Sequence, residues 1–256
     1  MSSRKNLRSR KIPFKEITTD IPTGRFENDG PRAYNDQYKR FGLVRNFRFA
    51  DILTLLNSVC GAISIFSGMS LIASLDTPSL VTDLSLLTQH QLVLFRSAFL
   101  SPFIGLFFDI VDGKVARLLK STSTLGQELD SLADLVTFGV APAVLAFIVG
   151  LRTWIDILIL CVFISCGVAR LARYNVTTHS LPKTETGKSK FFQGLPIPSS
   201  LILILAIWAM FETGYFAGGV PGGSLLLLGN SVHCVSFLWL FWAICMVSQR
   251  LHVPKL

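Results

Sequence analysis

Four aspartates lie close together in one segment of this sequence, at spacings that suit helices. Asp109 and Asp112 are three residues apart, and Asp130 and Asp134 are four apart, so each pair shares one face of its own helix. A short basic loop joins the two segments and makes them antiparallel neighbours. We therefore expect all four carboxylates to converge on one pocket.

The charge of this cluster predicts bound metal. Four carboxylates in one poorly hydrated place repel one another strongly unless cations offset their charge. Ligation by oxygen alone favours hard ions, so the cluster predicts two divalent cations, Mg²⁺ or Mn²⁺, held by Asp109, Asp112, Asp130 and Asp134. A cation transporter could use the same carboxylates and is the main alternative.

Small residues and one arginine surround the aspartates. Gly113 and Ala116 follow Asp109 at i+4 and i+7, and Gly126 lies one turn before Asp130. They leave room for a flat or bulky ligand against the backbone, and Arg117 can pair with a phosphate through two hydrogen bonds. This setting favours a nucleotide diphosphate as the ligand. A cation transporter does not explain why small residues and an arginine surround the aspartates.

The composition indicates that membrane helices position these residues. The chain has 256 residues, of which 50% are hydrophobic and 16% charged, and its mean hydropathy is +0.52. A soluble domain of this size needs more polar surface. Residues 1–50 hold 12 of the 24 Lys and Arg against five acids. We interpret this excess as a cytosolic anchor on anionic lipid rather than as a nucleic-acid site.

The chain is expected to be an all-α integral membrane protein. Residues 1–38 are predicted to be a disordered basic tail, residues 39–51 an amphipathic helix in the membrane interface, and residues 248–256 a second tail. Between them, residues 52–247 are predicted to form one domain of six spans of roughly 20 residues. Their expected limits are Ile52–Leu75, Leu92–Asp112, Gly126–Val149, Trp154–Arg173, Ile197–Phe216 and Leu225–Val247.

The charges of the loops predict an orientation. The connections 114–125 and 174–196 each carry three Lys or Arg, whereas 76–91 and 211–223 carry none. Positive loops face the cytosol. Both termini and the aspartate cluster are therefore expected on the cytosolic side.

The aspartate segment resembles the signature of the CDP-alcohol phosphotransferase family. All eight signature positions match at the family's spacing: Asp109, Asp112, Gly113, Ala116, Arg117, Gly126, Asp130 and Asp134. The resemblance implies six spans after an interfacial helix, and a homodimer. It also implies metal binding by the four aspartates, CDP binding by the other four residues, and Asp134 as the base for the acceptor hydroxyl. No His or Cys is placed to form a covalent intermediate, which favours direct displacement.

The acceptor alcohol is the harder question. Arg170 and Arg173 are three apart at the cytosolic end of the fourth predicted span, where two guanidiniums could bind the carboxylate of serine. They could equally anchor the helix or bind lipid phosphate. Gln193 could contact the substrate or serve only as a loop residue. Asn57, in the first span, could line the pocket or make a bond between helices.

Three further segments are similar to the branch of the family that uses serine as acceptor, above all its fungal members. They are VTFGVAPA at 136–143, GVARLARYNVT at 167–177 and FQGLPIPSS at 192–200. This resemblance implies CDP-diacylglycerol and L-serine as substrates, phosphatidylserine as product, and the endoplasmic reticulum as location. It also implies Arg170 and Arg173 as serine ligands, and Asn57 at the pocket. Inositol or glycerol 3-phosphate as acceptor is the alternative within the family.

Overall fold

Helices form most of the part of the chain that can be described. The structure is a computed structural model, and it describes residues 48–75, 87–119, 124–180, 191–216, 220–227, 230–248 and 252–254. The predicted tail 1–38 and residues 39–47 of the predicted interfacial helix lie outside these ranges.

Seven α-helices are present in the described ranges. They are α1 (Phe49–Ala73), α2 (Gln89–Leu118), α3 (Thr124–Asp134), α4 (Ala141–Ile148), α5 (Trp154–Ser180), α6 (Leu201–Glu212) and α7 (Ser236–Val247). A π-helix, Leu135–Val140, joins α3 to α4, and a 3₁₀ turn, Ile197–Ser200, precedes α6. Two antiparallel strand pairs complete the fold: β1 (Phe191–Gln193) with β4 (His252–Pro254), and β2 (Ser224–Leu227) with β3 (Asn230–His233).

Among the described residues, four segments are long and apolar enough to cross a membrane. They are Phe49–Ala73, Gln89–Leu118, Leu125–Ile148 and Trp154–Val176. These correspond to the first four predicted spans, and the second continues to Leu118, six residues past its predicted end at Asp112. The chain is therefore a mostly helical integral membrane protein. The fifth and sixth predicted spans contain shorter apolar helices, Ile197–Glu212 and Ser236–Val247.

The sixth predicted span, Leu225–Val247, is wrong at its start. Ser224–Leu227 pairs with Asn230–His233 as β2 and β3, and among the described residues of this span the helix α7 has 12 residues. At 1.5 Å per residue α7 is about 18 Å long, short of the ~30 Å hydrocarbon core. A run of four leucines at 225–228 has no period that separates a helix from a strand, but the Gly229 that follows it is a turn signal.

Pro102, inside α2, and Pro142, in the first turn of α4, are each matched by a serine from a neighbouring element. Pro102 cannot donate to the carbonyl of Ala98 four residues earlier, and Ser64 of α1 donates its hydroxyl to that oxygen at 2.6 Å. Pro142 in α4 likewise frees the carbonyl of Phe138, and Ser200 donates to it at 2.6 Å. Neighbouring hydroxyls commonly satisfy carbonyls freed by proline in membranes, where no water is present to do so.

The start of α5 is tied to the β2–β3 hairpin through Asp156, whose side chain is fully buried. One carboxylate oxygen accepts bonds from the backbone N–H of His233 at 3.2 Å and the hydroxyl of Ser236 at 2.5 Å. The other contacts Nδ1 of His233 at 2.6 Å and accepts the backbone N–H of Thr153 at 3.2 Å. Asp156 therefore joins α5, β3 and α7 at the end of the bundle away from the four aspartates.

Replacing Asp156 with alanine is expected to destabilise the protein by about 2–4 kcal/mol, because several buried donors lose their acceptor together. Thermal unfolding in detergent measures the effect. Asp156→Asn keeps one acceptor oxygen and is expected to lose less. An unchanged melting temperature in Asp156→Ala would contradict the role given to this carboxylate.

Candidate active site

Two helices bring the aspartates together as their spacing predicts. Asp109 and Asp112 lie on α2, and Asp130 and Asp134 lie on α3. One carboxylate oxygen from each of Asp109, Asp112 and Asp130 lies within 4.8 Å of the others. The carboxyl groups of Asp109 and Asp130 are near enough to share a hydrogen bond. Asp134 is outside this group of three, although its charge interacts with all of them.

The first helix supplies a polar stripe that supports the cluster. Asp51, Thr54 and Asn57 follow one another at intervals of three residues on α1, and all three are buried. The hydroxyl of Thr54 donates to Asp112 Oδ2 at 2.6 Å, and Nδ2 of Asn57 donates to Asp134 Oδ1 at 3.2 Å. Asp51 is close enough to Asp112 for their charges to interact. Helix α1 thus positions one aspartate of each pair.

Asn57 is the one member of this stripe that the sequence singled out. Asp51 and Thr54 were missed, because a lone Thr or a terminal Asp in a span has many structural roles. The signal that could have found them is the repeat itself, since polar side chains three apart line one face of an otherwise apolar helix.

A tight junction between three elements holds Asn57 in place. The hydroxyl of Thr137, in the π-helix, donates to the backbone carbonyl of Asn57 at 2.9 Å. A Cβ on Gly61 would lie 2.8 Å from Cα of Thr137, and a Cβ on Gly105 would lie 2.8 Å from Oδ1 of Asn57. Both positions therefore need glycine so that α1, α2 and the π-helix can approach closely. The π-helix begins directly after Asp134, and such helices are frequent at functional sites.

The donor set of the cluster fits a divalent cation. Three carboxylates present oxygen ligands at one point, and the buried Oδ1 of Asp130 has no hydrogen-bond partner among the described residues. A buried carboxylate oxygen without a partner is costly unless a cation binds it. Oxygen ligands alone suit Mg²⁺ or Mn²⁺ better than a softer metal.

The four residues predicted to bind the nucleotide lie on the same two helices as the aspartates. A Cβ on Gly113 would have Arg117 Nη2, at 3.9 Å, as its nearest neighbour, so the space beside this glycine is open. Nε of Arg117 donates to the carbonyl of Gly113 at 2.7 Å, and the side chain is exposed. Ala116 and Gly126 are half-buried on α2 and α3. Small residues on both helices therefore leave room for a ligand beside Gly113.

The two arginines predicted to bind the acceptor have different partners. The half-buried side chain of Arg170 is close enough to Asp134 for their charges to interact, and its buried Nε lacks a hydrogen-bond partner within the described ranges. Arg173 instead donates from Nη1 to the carbonyl of Val247, at the end of α7, at 3.1 Å. Gln193 lies in β1, opposite His252 of β4. The charge of Arg170 thus interacts with that of Asp134.

Comparisons with known proteins agree with this geometry and confirm the resemblance seen in the sequence. Residues 47–248 match the family model described as CDP-alcohol phosphatidyltransferase. A Saccharomyces cerevisiae protein named CDP-diacylglycerol–serine O-phosphatidyltransferase is 39% identical over 228 residues, which cover 88% of this chain and 76% of the relative. A Bacillus subtilis protein of the same name is 35% identical over 181 residues, covering 70% of this chain and 85% of that protein. This chain belongs to the CDP-alcohol phosphatidyltransferase family.

Proposed function

We propose that this protein transfers the phosphatidyl group of CDP-diacylglycerol to L-serine, giving phosphatidylserine and CMP. The observation that carries the proposal is the group of three carboxylates, whose charges interact with Asp134, while Asp134 in turn interacts with the charge of Arg170. The names of the yeast and Bacillus relatives support serine as the acceptor.

Asp109, Asp112 and Asp130 would hold the divalent cations, with Asp134 at the edge of the same site. When bound, the cations neutralise the pyrophosphate and stabilise the departing CMP. Thr54 keeps Asp112 oriented through its hydroxyl. The open space beside Gly113, together with Ala116, Arg117 and Gly126, supports a binding place for the CDP group.

Asp134 serves as the general base. Its Oδ1 accepts a hydrogen bond from Asn57, which leaves Oδ2 to take the proton of the serine hydroxyl. The serine oxygen forms a bond to the phosphorus that carries the diacylglycerol, and the bond from that phosphorus to CMP breaks. The proton moves to Asp134, and CMP leaves with the electron pair of the broken bond. This direct displacement needs no covalent intermediate on the protein.

Arg170 binds the carboxylate of serine. Its Nε is buried without a partner in the described chain, and a carboxylate can accept from Nε and Nη2 together in the planar arrangement that guanidinium favours. Because Arg170 is close to Asp134, a serine held there has its hydroxyl near the base. Glycerol and choline offer no carboxylate to this site.

Acceptor competition tests the proposal, with CMP release measured from purified protein in detergent. Release is expected with L-serine and not with inositol, glycerol 3-phosphate or choline. Arg170→Ala is expected to raise the KM for serine by about 10- to 100-fold, as for the loss of a charge-assisted hydrogen-bond pair. The KM for CDP-diacylglycerol should stay within about twofold of its original value, since Arg170 does not contact the donor in this scheme.

A matched variant and two contrary outcomes sharpen this test. Arg170→Lys keeps the charge but not the planar fork, so it should recover only part of the serine affinity. Release of CMP with inositol or glycerol 3-phosphate instead of serine would keep the family chemistry and discard the serine site. Cation flux in liposomes without any CMP release would favour a transporter.

The setting of the reaction is part of the same proposal. Counting α3, the π-helix and α4 as one continuous segment, α6 and α7 bring the number of helical segments in the membrane domain to six, and the protein acts as a homodimer. The alternation of basic and uncharged loops supports an active site on the cytosolic side. The likeness to a yeast enzyme supports the endoplasmic reticulum as its location.

A further inference from the structure

The segment 191–200, which was predicted to contribute Gln193 to the acceptor site, is attached to the catalytic helices on one side. Ser200 donates to the carbonyl of Phe138, in the π-helix that begins next to Asp134. Ile197 is buried, and its Cδ1 lies 3.2 Å from where a Cβ on Gly167 would be. Gly167 is one turn before Arg170 on α5. Segment 191–200 therefore contacts α5 one turn from Arg170 and bonds to the π-helix that follows Asp134.

The other side of this segment is attached to the end of α7. The backbone N–H of Leu195 donates to the carbonyl of Cys245 at 3.2 Å, and Nε1 of Trp242 donates to the hydroxyl of Ser199 at 3.0 Å. Gly194 has φ +82, and a Cβ there would lie 2.4 Å from the backbone oxygen of Met246. Only glycine fits this contact, because backbone atoms cannot give way as a flexible side chain can.

Two carbonyls at the end of α7 accept hydrogen bonds from segment 191–195 and from α5, the two elements that carry the residues predicted to bind serine. The last carbonyls of a helix have no partner within it and need one elsewhere. The Leu195 N–H serves Cys245, and Nη1 of Arg173 serves Val247. Segment 191–195 and α5 are therefore both hydrogen-bonded to the end of α7.

The chain then continues beyond α7 and pairs with the same segment. Strand β4 runs antiparallel to β1, with Gln193 opposite His252 and Phe191 opposite Pro254. The backbone of Gln193 is thereby held by residues far along the chain from the aspartate motif. Pairing along a strand fixes register, because a slip of one residue turns every side chain to the other face.

We propose that the strand His252–Pro254, together with the end of α7, is a positioning element for the acceptor site. It holds segment 191–195, which leads into Ile197 and its contact with Gly167 one turn from Arg170, and so sets the affinity for serine, while the metal and CDP sites on α2 and α3 do not depend on it. This inference rests on the proposed function, since it concerns the acceptor half of the same reaction.

Removal of residues 249–256 tests this role in the otherwise intact protein. The KM for serine is expected to rise about tenfold, because small misplacements of a substrate-positioning group have large effects. The kcat at saturating serine and the KM for CDP-diacylglycerol are expected to stay within about twofold, because the donor half of the site is retained. A segment that merely stabilises the fold would not give this separation of the two KM values.

Two controls separate the effect of strand β4 on the KM for serine from the effects of the nearby basic charges and of the last two residues. Removal of residues 255–256 alone leaves β4 in place and should leave both KM values unchanged. A full-length variant with Arg250→Gln and Lys255→Gln loses the basic charges that a lipid anchor would need but keeps the strand. Normal serine affinity in this variant would support positioning by the strand, whereas a tenfold rise would assign the effect to charge and overturn the inference.

The remaining outcomes are equally decisive. An unchanged serine KM after removal of 249–256 overturns the inference and leaves the proposed function standing. An equal rise in both KM values with a lower melting temperature shows a structural role only and also overturns it. A full-length protein that releases no CMP with serine overturns the proposed function, and the inference with it.

Discussion

Replacing Asp134 with asparagine is expected to lower kcat for CMP release by about 10²- to 10⁴-fold, the usual contribution of a general base. Asparagine has the same shape, and its oxygen can still accept the hydrogen bond that Asn57 donates to this position. It cannot take the proton of the serine hydroxyl. The rate is measured with both substrates saturating, so that a change in affinity does not enter.

The partner residue provides the comparison for this prediction. Asn57→Ala removes the donor that orients Asp134 but leaves the carboxylate, so a smaller fall in kcat is expected. A melting temperature close to that of the original protein would show that Asp134→Asn is folded. A rate within about threefold of the original would mean that another group accepts the proton.

Removal of divalent cations with a chelator is expected to abolish CMP release, and Mn²⁺ or Mg²⁺ is expected to restore it. The expected loss is at least about 10³-fold, because the charge of the pyrophosphate and of the departing CMP then has no counter-charge. Asp109→Asn is expected to give a comparable loss, since Asp109 lies in the group of three carboxylates within 4.8 Å and near the Asp130 carboxyl group.

Metal binding itself distinguishes this explanation from a loss of structure. Titration calorimetry with Mn²⁺ should show binding to the original protein and much weaker binding to Asp109→Asn. Thr54→Val keeps all the carboxylates but removes the hydroxyl that donates to Asp112, and it should bind Mn²⁺ with only modestly lower affinity. Full activity in the presence of excess chelator would contradict the metal-dependent reaction.

The grouping of the aspartates followed from sequence because it depends on local geometry. Spacings of three and four place each pair on one helix face whatever the surroundings, and a short loop makes the two helices neighbours. The support given by Asp51 and Thr54 depends on a third helix and on how it is rotated. Pairwise spacing within the aspartate segment carries no information about that rotation.

The partners of the two arginines show the same limit. Arg170 and Arg173 are three apart and were expected to act together, yet Arg173 bonds to the end of α7, 74 residues further along the chain. That bond depends on where α7 ends, and α7 is shorter than the apolar stretch that contains it. The pairing of β2 with β3 was missed for a related reason, since four consecutive leucines suit a strand as well as a helix.

The pairing of Pro102 with Ser64 and of Pro142 with Ser200 has a consequence for how the helices are oriented about their own axes. Lipid tails are as apolar as leucine, so burial alone does little to distinguish one rotation of a membrane helix from another. A hydroxyl that must reach one particular carbonyl does distinguish these rotations, since rotating the helix about its axis would leave that oxygen without a donor. Each hydrogen bond from serine to a carbonyl freed by proline therefore favours one rotation of the helix about its axis. Pro102 lies on α2, which carries Asp109 and Asp112, and Pro142 lies on α4, which continues from α3 through the π-helix. The bonds that satisfy these carbonyls therefore also help to orient the carboxylates.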